Sequence, residues 1–500
     1  MVLENLEPSL VWEIFEEVFT ATPRESKKED KIRKKIQSWV KSYADDKGVD
    51  IEIVSDEAGN LLLRKSATKG MEKVPSVLMQ GHMDMVCETV RPEGFDFDNE
   101  PIPVRIQDNG EWVEADRTTL GADNGIGVSL GLALMLDPEV AHGPLELLIT
   151  VDEETGLVGA FALDPEKMGI ESRLLLNLDS EDLGVVTIGS AGGGDTDFSK
   201  KLKKSSVSGL TSLKLEVKGL FGGHSGVDIH LHRANANKMM ARMLADVLHV
   251  ADVYLAAWEG GDKHNAIPRE AMAAFGVPSK RSKKVEDALA ESKRKLLAYY
   301  QNDQKGATPL EPDMEITWSS TEPADVFNQE ESRLVIWTVN VLPHGPQEFS
   351  PQVEGLVETS NNVAAVKTEE GSVSVLTSTR SSVDAELDAF RERLREIATL
   401  AGWDVDLKGA YPGWKPEPKS PFLKYVVDKF KEVRGKEPVV KAIHAGLECG
   451  IIGSKIPGIQ MLSVGPDIKN AHTPDEKLKI EDVTALYDIL KKILADLNEM

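Results

Sequence analysis

Acidic and imidazole side chains recur at two kinds of position in this chain. Most of them lie just after a short apolar run, and others lie in a polar or glycine-flanked turn. Imidazoles together with carboxylates suit zinc, manganese or cobalt, whereas an all-oxygen set suits magnesium or calcium. Two histidines and at least three carboxylates exceed one tetrahedral site. They favour a two-metal centre with a bridging carboxylate, which activates water for hydrolysis. The candidate residues are His82, Asp84, Asp123, Glu153, Glu154, Asp179 and His472.

The first pair of candidates lies in residues 77–86 (VLMQGHMDMV). His82 and Asp84 are two residues apart, so they share a face if the strand continues. The carboxylate of Asp84 could then reach one imidazole nitrogen while the other nitrogen faces a metal. A surface or turn pairing is the alternative for an isolated triplet of this kind, so the other candidates decide the interpretation.

Two further candidates have ordinary structural explanations when each is taken alone. Asp123 lies in a glycine-flanked turn directly before a helix pattern, where aspartate is a common N-cap. His472 lies in a polar loop (KNAHTPD), where a single histidine usually has no special role. Neither residue alone predicts a metal site.

The remaining carboxylates follow strand patterns. The run 152–154 (DEE) comes directly after the apolar run 145–151, and Asp179 follows the run 174–178. Open α/β folds place their sites at the carboxyl edge of the sheet, where these side chains would lie. A solvated acidic turn is the alternative, but the repetition of the pattern favours a metal centre.

Apolar periodicity divides the chain into three parts. Residues 1–190 alternate amphipathic helices with short apolar runs, which is typical of strands buried on both faces of an α/β sheet. Residues 191–410 mix alternating strands with amphipathic helices and predict a separate α+β domain. Residues 411–500 return to the first pattern, so we predict that the second domain is inserted into the first. The glycine-rich run 189–194 is the expected hinge or crossover.

Charge and composition exclude several classes of protein. The 500 residues carry a formal net charge of −25, from 58 Lys and Arg against 83 Asp and Glu. Nucleic acids and anionic membranes both require basic surface, so neither is an expected partner. Two cysteines are too few for a disulfide framework, and the acidic N-terminus does not resemble a signal peptide. We therefore expect a cytoplasmic protein.

Nine segments of the chain form a recognisable succession of motifs: GHMDMV, TTLGADNGIG, HGPLELLITVDEETG, NLDSED, GLFGGHSG, HNAIPRE, KGAYPGW, HAGLECG and SVGPDIKNAHTPDE. This succession, which extends over nearly the whole chain, resembles the M20 family of metallopeptidases, in particular its dipeptidases that act on aminoacyl-histidine and other dipeptides. The resemblance implies a two-domain fold, with an α/β zinc-binding catalytic domain and an inserted α+β, ferredoxin-like lid domain. It also implies dipeptide substrates.

The resemblance also implies a role for each metal ligand. His82 and Asp179 would bind one zinc ion, Glu154 and His472 would bind the other, and Asp123 would bridge the two ions. In this family the bridging aspartate is followed by a cis peptide, so the bond between residues 123 and 124 is expected to be cis.

The same resemblance implies two residues that act beside the metals. Glu153 would be the general base, which takes a proton from the metal-bridging water and must lie within hydrogen-bond reach of it. Asp84 would orient and polarise His82. The adjacent residues Glu153 and Glu154 would thus have different tasks, which a turn permits.

Three residues of the inserted domain, together with a loop of the C-terminal segment, would contact the substrate. His224 resembles the family histidine that hydrogen-bonds the scissile carbonyl, while Asn265 and Arg380 would approach the substrate carboxylate. The loop 444–450, with His444 and Gly446, would line the same pocket. The alternatives are that the segment around His224 is only a tight turn and that Arg380 is only a surface charge.

The predicted function is therefore that of a zinc-dependent dipeptidase, with manganese or cobalt as other metals that would fit. Another M20 amidohydrolase, such as an aminoacylase or tripeptidase, is the first alternative. A non-catalytic metal-binding or peptide-binding protein is the second, but it would be expected to lack Glu153, which is present. Residues 279–355 match the family least, which leaves lid size, side-chain preference and the choice between monomer and homodimer open.

Overall fold

The computed structural model describes residues 2–301 and 308–500, which divide into two compact units. Unit 1 comprises Met1–Gly189, Trp414–Ala442 and Leu447–Met500. Unit 2 comprises Ser190–Gly413 and the short segment Ile443–Gly446. The return of residues 443–446 to unit 2 has no counterpart in the expected division at residues 190 and 410.

The N-terminal part of unit 1 alternates helices and strands. Its first helix continues as a π-helix over Phe15–Thr20. The elements are α1 (Ser9–Ile14), α2 (Asp30–Lys47), β1 (Glu52–Ser55), β2 (Leu61–Lys65), β3 (Val77–His82), β4 (Val104–Ile106), β5 (Trp112–Ala115), α3 (Ala122–Leu136), β6 (Leu145–Thr150), α4 (Val158–Ala162), α5 (Pro165–Met168), β7 (Leu174–Asn177) and β8 (Val185–Ser190).

The middle of the chain is richer in long strands. Its elements are β9 (Gly192–Lys201), β10 (Leu210–Lys218), β11 (Gly223–His224), α6 (Ala236–Leu248), β12 (Tyr254–Gly260), β13 (Ala266–Ile267), β14 (Ala271–Pro278), α7 (Ser282–Tyr300), β15 (Glu315–Ser320), α8 (Gln329–Val341), β16 (Gly345–Phe349), β17 (Val357–Glu369), β18 (Ser372–Ser381), α9 (Asp384–Leu400) and β19 (Asp404–Tyr411).

The C-terminal part completes unit 1. Its elements are α10 (Pro421–Arg434), β20 (Val439–Ile443), α11 (Glu448–Lys455), β21 (Gln460–Ser463), β22 (Ile468–Lys469), β23 (Lys477–Lys479) and α12 (Ile480–Ala495). Within the described parts of the chain, no helix combines the length and apolar character that a membrane crossing requires.

The main sheet of unit 1 has eight strands in the order β1-β2-β6-β3-β7-β21-β8-β20. Strand β3 pairs in parallel with both β6 and β7, and β7 pairs in parallel with β21. Every residue of β3, β6 and β7 is buried, which explains why their sequences are mostly apolar and do not alternate between apolar and polar residues. The predicted α/β class is confirmed.

Helix α3 packs closely against this sheet because it is rich in glycine. An added Cβ at Gly127 would lie 2.2 Å from the carbonyl oxygen of Leu178. An added Cβ at Gly131 would lie 2.8 Å from the Leu147 side chain. The small residues therefore let the helix approach the strand ends that carry the candidate ligands.

A second sheet of unit 1 has four short strands in the order β22-β23-β5-β4. Strands β22 and β23 form a hairpin in which Lys469 is opposite Lys477. Strand β23 also pairs with β5, with Lys477 opposite Glu114. This sheet therefore fixes the loop between β22 and β23, which contains His472.

Unit 2 is built on a nine-stranded antiparallel sheet in the order β15-β10-β14-β12-β17-β18-β9-β19, with β16 paired to β17. Helix α6 packs against α7 and α8, and α9 packs against β9 and β18. Antiparallel strands with separate helices are the α+β arrangement expected for this part of the chain.

The glycine-rich run 189–194 spans the start of unit 2. The unit boundary falls between Gly189 and Ser190, but Gly192–Gly194 are buried within β9 and pair with residues 379–381 of β18. An added Cβ at Gly192 would lie 2.5 Å from the Tyr411 carbonyl oxygen. The glycines therefore permit close strand packing in addition to any role as a crossover.

Replacing Gly127 by alanine should destabilise unit 1, because the new methyl group cannot avoid the Leu178 carbonyl oxygen without moving backbone. Overpacking of this kind costs about 1–3 kcal/mol. Urea unfolding of the variant would measure the loss. Gly409→Ala is the matched control, since its Cβ would meet nothing within 4 Å. Equal stability of Gly127→Ala and the parent chain would contradict the close packing of α3.

Candidate active site

The carboxyl ends of three parallel strands bring the candidate ligands together. His82 is the last residue of β3, the run 152–154 follows β6, and Asp179 follows β7. Because these strands are parallel neighbours, their carboxyl ends lie at the same edge of the sheet. The helix α3 and the β22–β23 hairpin add Asp123 and His472 to this edge.

One carboxylate lies between the two imidazoles. The Oδ1 atom of Asp123 is 3.1 Å from Nε2 of His82, and its Oδ2 atom is 3.0 Å from Nε2 of His472. Asp179 Oδ1 lies 3.4 Å from the same nitrogen of His82, and Glu154 Oε2 lies 3.1 Å from that of His472. The five expected ligands thus form one cluster, with Asp123 at its centre. The Asp123–Asn124 peptide is cis, as expected from the resemblance.

Asp84 orients the surroundings of His82. Its Oδ1 atom lies 3.3 Å from His82 Nδ1 and accepts a hydrogen bond from the backbone N–H of Glu153 at 3.1 Å. Its Oδ2 atom accepts from the backbone N–H of Glu154 at 3.3 Å and from the Ser26 hydroxyl at 2.8 Å. One buried carboxylate therefore fixes both an imidazole and the turn that holds the two glutamates.

The turn after β6 lets adjacent glutamates face different groups. Asp152 adopts a left-handed conformation with φ of 48°, which few residues other than glycine take. Its N–H donates to Glu29 Oε1 at 3.0 Å, and its own Oδ1 accepts from the Thr155 hydroxyl at 2.6 Å. The strict alternation of a strand is thereby broken just before Glu153.

The charges of the cluster change its pKa values strongly. Burial disfavours a charged Asp123, but its hydrogen bonds with His472 and His82 hold the pKa of that carboxyl well below its usual range. Hydrogen bonds to Asp123 and Glu154 raise the pKa of His472 to about 11. Burial raises the pKa of Asp179 to about 7. Without metal, protons thus take the place of cations between these carboxylates.

Glu153 is the acidic group expected to exchange protons. Burial raises its pKa well above the ordinary value, while the charge of His82 acts in the opposite direction and that of Asp179 adds to the rise. Its backbone lies beside the cluster, since its N–H donates to Asp84 and the carboxylate of the next residue, Glu154, lies 3.1 Å from His472 Nε2. A carboxyl with a raised pKa is suited to accept and return a proton near neutral pH.

Unit 2 contains a second group of candidate residues, centred on His224. Strands β11 and β13 pair so that His224 is opposite Ala266. Asn265 directly precedes Ala266 in the sequence. The backbone N–H groups of Gly226 and Val227 donate to His224 Nδ1, each at 3.2 Å. The proton of a neutral ring therefore lies on Nε2. Burial and the charge of Arg380 lower the pKa of His224 to about 4, so the ring is a neutral hydrogen-bond donor.

Arg380 is held beside this histidine. Its Nε atom donates to the Ser225 hydroxyl at 3.4 Å, and one terminal nitrogen donates to the Tyr411 hydroxyl at 3.0 Å. The Ser225 N–H in turn donates to the Asn265 carbonyl oxygen at 2.7 Å. The side chain is only 6% exposed, so Arg380 is not an ordinary surface charge.

The segment 443–446 joins the same group. His444 Nε2 lies 2.7 Å from the Ser360 hydroxyl, and burial with the charge of Arg380 lowers its pKa to about 3. An added Cβ at Gly226 would lie 2.1 Å from the His444 carbonyl oxygen. One at Gly446 would lie 3.0 Å from the Tyr411 ring. The five expected substrate-binding residues of unit 2 thus lie around Ser225 and Tyr411.

Comparison with known proteins identifies the family. The sequence profile of peptidase family M20/M25/M40 matches residues 78–496. This chain belongs to peptidase family M20/M25/M40. The family assignment made from the motifs is confirmed.

Two relatives within peptidase family M20/M25/M40 match over their full length. The cytosol non-specific dipeptidase of Escherichia coli (strain K12) is 36% identical over 497 residues, which cover 99% of both chains. The crystal structure of aminoacylhistidine dipeptidase from Vibrio alginolyticus is also 36% identical. It has a TM-score of 0.89 and covers 99% of this chain and 98% of that one.

A more distant structure shares the fold alone. Aminopeptidase PepT from Bacillus cereus ATCC 10987 superposes with a TM-score of 0.53 at 18% identity, and the match covers 99% of each chain. The fold of this M20 chain therefore extends to relatives with little sequence in common.

The ligand cluster of this M20 chain has the donors that divalent metals require. Ligand atoms of His82, Asp123 and Glu154 all lie within 4.8 Å of one another. Within the described residues, the buried Oε1 atom of Glu154 has no hydrogen-bond partner. An unpaired buried carboxylate oxygen is costly, and a cation would satisfy it. The residues present thus fit a metal centre of mixed nitrogen and oxygen ligands.

The sequence reasoning missed three buried charged residues around the cluster. Arg24 donates to the carbonyl oxygens of Met83 and Asp84 at 3.1 and 2.9 Å. Glu448 accepts from Gln80 at 2.5 Å, and Glu476 accepts from backbone N–H groups just before Asp123. Two of them had a sequence signal, since Glu448 lies in the motif HAGLECG and Glu476 follows His472 by four residues in the motif HTPDE.

Metal uptake by the metal-free protein should release protons at pH 7, because His472 has a raised pKa and must lose its proton to bind a cation. The metal affinity should therefore rise as the pH rises from 6 to 8. Calorimetric zinc titrations in two buffers with different ionisation enthalpies would measure the release. The exposed His249 provides a control, since His249→Gln should release as many protons as the parent chain. Identical enthalpies in both buffers would contradict protonated ligands.

Proposed function

We propose that this chain is a dipeptidase that uses two divalent metal ions, zinc foremost and manganese or cobalt as alternatives. The observation that carries the proposal is the sharing of one carboxylate, Asp123, between the two imidazoles. Such sharing is the arrangement that a pair of neighbouring cations requires. Bound there, the two ions would polarise the scissile carbonyl and lower the pKa of the attacking water.

The ligands would divide between the two ions according to the observed distances. His82 and Asp179 would hold one ion, and Glu154 and His472 the other, because these pairs lie 3.4 and 3.1 Å apart. Asp123, which contacts both imidazoles, would be shared by the two ions. Asp84 would keep the His82 ring in place by its position 3.3 Å from Nδ1.

Glu153 would transfer a proton from the attacking water to the leaving amine. Its carboxylate would take a proton from water as that water attacks the peptide carbonyl, and would then give the proton to the leaving amine. A raised pKa makes the carboxyl a better base than an ordinary glutamate, which favours the first transfer. The hydrogen bond from its N–H to Asp84 fixes the backbone from which it acts.

Residues of unit 2 would recognise the peptide. The Nε2–H of His224 would donate to the carbonyl oxygen as negative charge develops on it, since Nδ1 already accepts two backbone bonds. Arg380 and Asn265 would bind the substrate carboxylate, with Arg380 as the charged partner. His444 and Gly446 would line the same pocket.

The names of the full-length relatives support dipeptides as the substrate class, with aminoacyl-histidine among them. We further propose a cytoplasmic location, as the name of the Escherichia coli relative indicates for that protein. A panel of dipeptides, tripeptides and N-acetyl amino acids would test the class. Cleavage of N-acetyl amino acids or tripeptides without cleavage of any dipeptide would assign the chain to another M20 activity.

Replacing Glu153 by glutamine should abolish dipeptide turnover while both metals remain bound. The loss in kcat should reach about 10²–10⁴-fold, the usual contribution of a general base. Stopped-time assays with metal analysis of the same samples would measure both quantities. The exposed Glu166 supplies the control, since Glu166→Gln should behave as the parent chain. Normal turnover by the Glu153 variant would remove this residue from the mechanism.

Replacing Arg380 by glutamine should weaken the recognition of the substrate carboxylate. A hydrogen bond to a charged group contributes about 1.5–3 kcal/mol, so kcat/KM for a free dipeptide should fall by about 10- to 150-fold. The same dipeptide with a C-terminal amide should be cleaved equally slowly by the parent and the variant. An equal loss on both substrates would mean that Arg380 does not bind the carboxylate.

A further inference from the structure

Glu476 is a buried carboxylate that accepts four backbone hydrogen bonds from consecutive residues. Its Oε2 atom accepts from the N–H groups of Leu120 and Gly121, each at 2.8 Å. Its Oε1 atom accepts from those of Ala122 at 2.8 Å and Asp123 at 3.3 Å. The side chain is only 2% exposed. One carboxylate thus holds the segment that ends at the aspartate between the two imidazoles.

These four N–H groups belong to a loop and not to a regular helix. Asp123 and Asn124 have non-helical backbone angles, with ψ of 111° at Asp123, so the regular part of α3 begins after them. Gly121, two residues before Asp123, has a left-handed conformation with a φ of 70°. The conformation of Asp123 therefore depends on contacts from outside the helix, and Glu476 supplies them.

The same loop carries Glu476 and the ligand His472. The loop connects β22 to β23, and Glu476 directly precedes β23. The N–H of Glu476 donates a hydrogen bond to the Thr473 carbonyl oxygen at 3.0 Å, which forms a turn directly after His472. Glu476 therefore links the backbone next to His472 with the backbone of Asp123.

Arg24 holds the opposite side of the Asp123 segment. Its guanidinium donates to the Gly121 carbonyl oxygen and, at 2.9 Å, to that of Asp84. The carbonyl of Gly121 is thus bound by a buried cation, and its N–H by the carboxylate of Glu476. The two charges fix the loop from both sides.

We propose that Glu476 is a positioning residue that sets Asp123 at the distance from His82 and His472 that two metal ions require. The proposal rests on the proposed metal-dependent function. It assigns Glu476 no contact with substrate or metal. It requires a carboxylate, because only two oxygens that each accept two bonds satisfy four N–H groups.

Glutamine at position 476 would test this requirement with little change in shape. Its single oxygen would serve two N–H groups, while its own N–H₂ would face the other two donors. Changes in residues that orient metal ligands typically weaken metal binding 10- to 100-fold. We expect the affinity of metal-free Glu476→Gln for Co²⁺ to fall at least about 10-fold, with a changed visible spectrum of the bound ion.

The matched control is Glu146, a buried carboxylate with the same kind of partners away from the cluster. It is 4% exposed and accepts from the N–H groups of Glu171 and Ser172 at 3.1 and 2.9 Å. It lies near the start of β6, at the opposite end of that strand from the ligand turn. Glu146→Gln should lower the free energy of unfolding but leave Co²⁺ affinity unchanged.

Cobalt titrations of the parent chain, Glu476→Gln and Glu146→Gln separate the outcomes. If the parent chain binds no Co²⁺, the proposed function fails. If the parent chain and Glu476→Gln bind two ions equally well, only the positioning role fails. An equal loss of affinity in both variants would likewise overturn it, since the effect would then be one of stability.

A shorter carboxylate covers the case in which Glu476→Gln does not fold. Glu476→Asp keeps the charge but cannot reach all four N–H groups, so its Co²⁺ affinity should be lower than that of the parent chain. Glu146→Asp is its control. Unaltered affinity in Glu476→Asp, or insoluble expression of both Glu476 variants, would overturn a role confined to the metal centre.

Discussion

The shared contact of Asp123 with two imidazoles is the constraint on which the rest of unit 1 depends. Its two oxygens lie 3.1 Å from His82 and 3.0 Å from His472. Those two histidines are almost 400 residues apart in the chain. Asp179 and Glu154 each contact one of the same imidazoles, so three carboxylates lie close together. Carboxylates at such distances repel one another unless cations or protons lie between them. The fold must therefore hold these candidate ligands in place against the repulsion between their charges.

Two sheets share that task. The eight-stranded sheet brings His82, the turn after β6, and Asp179 to one edge, because β3, β6 and β7 run in parallel. The four-stranded sheet fixes the hairpin with His472 and, through β5, the start of the segment that leads to Asp123. Each sheet alone supplies only part of the cluster, so the centre exists only where the sheets and α3 meet.

The sequence could predict what depends on local pattern and on motifs. The buried strands appeared as apolar runs, and the candidate ligands His82, Asp179 and Glu154 lie at the carboxyl ends of these strands or within four residues of them. Contacts between distant parts of the chain were not predictable. The strands β4 and β23 have three residues each, too few for a pattern. Arg24 is buried with its guanidinium bonded to three carbonyl groups from segments about 60 and 97 residues away, as well as to that of Phe19.

A row of polar side chains explains how apolar strands can end in a charged cluster. Two residues before His82, Gln80 accepts from Asn177 at 2.7 Å and donates to Glu448 at 2.5 Å. Asn177 in turn precedes Asp179 by two residues and accepts from Ser463 at 2.5 Å. Adjacent strands are thus joined by side-chain bonds as well as backbone bonds just before the ligands. Such bonds resist the lateral separation that repulsion between carboxylates would produce, so the sheet edge can keep the candidate ligands close together.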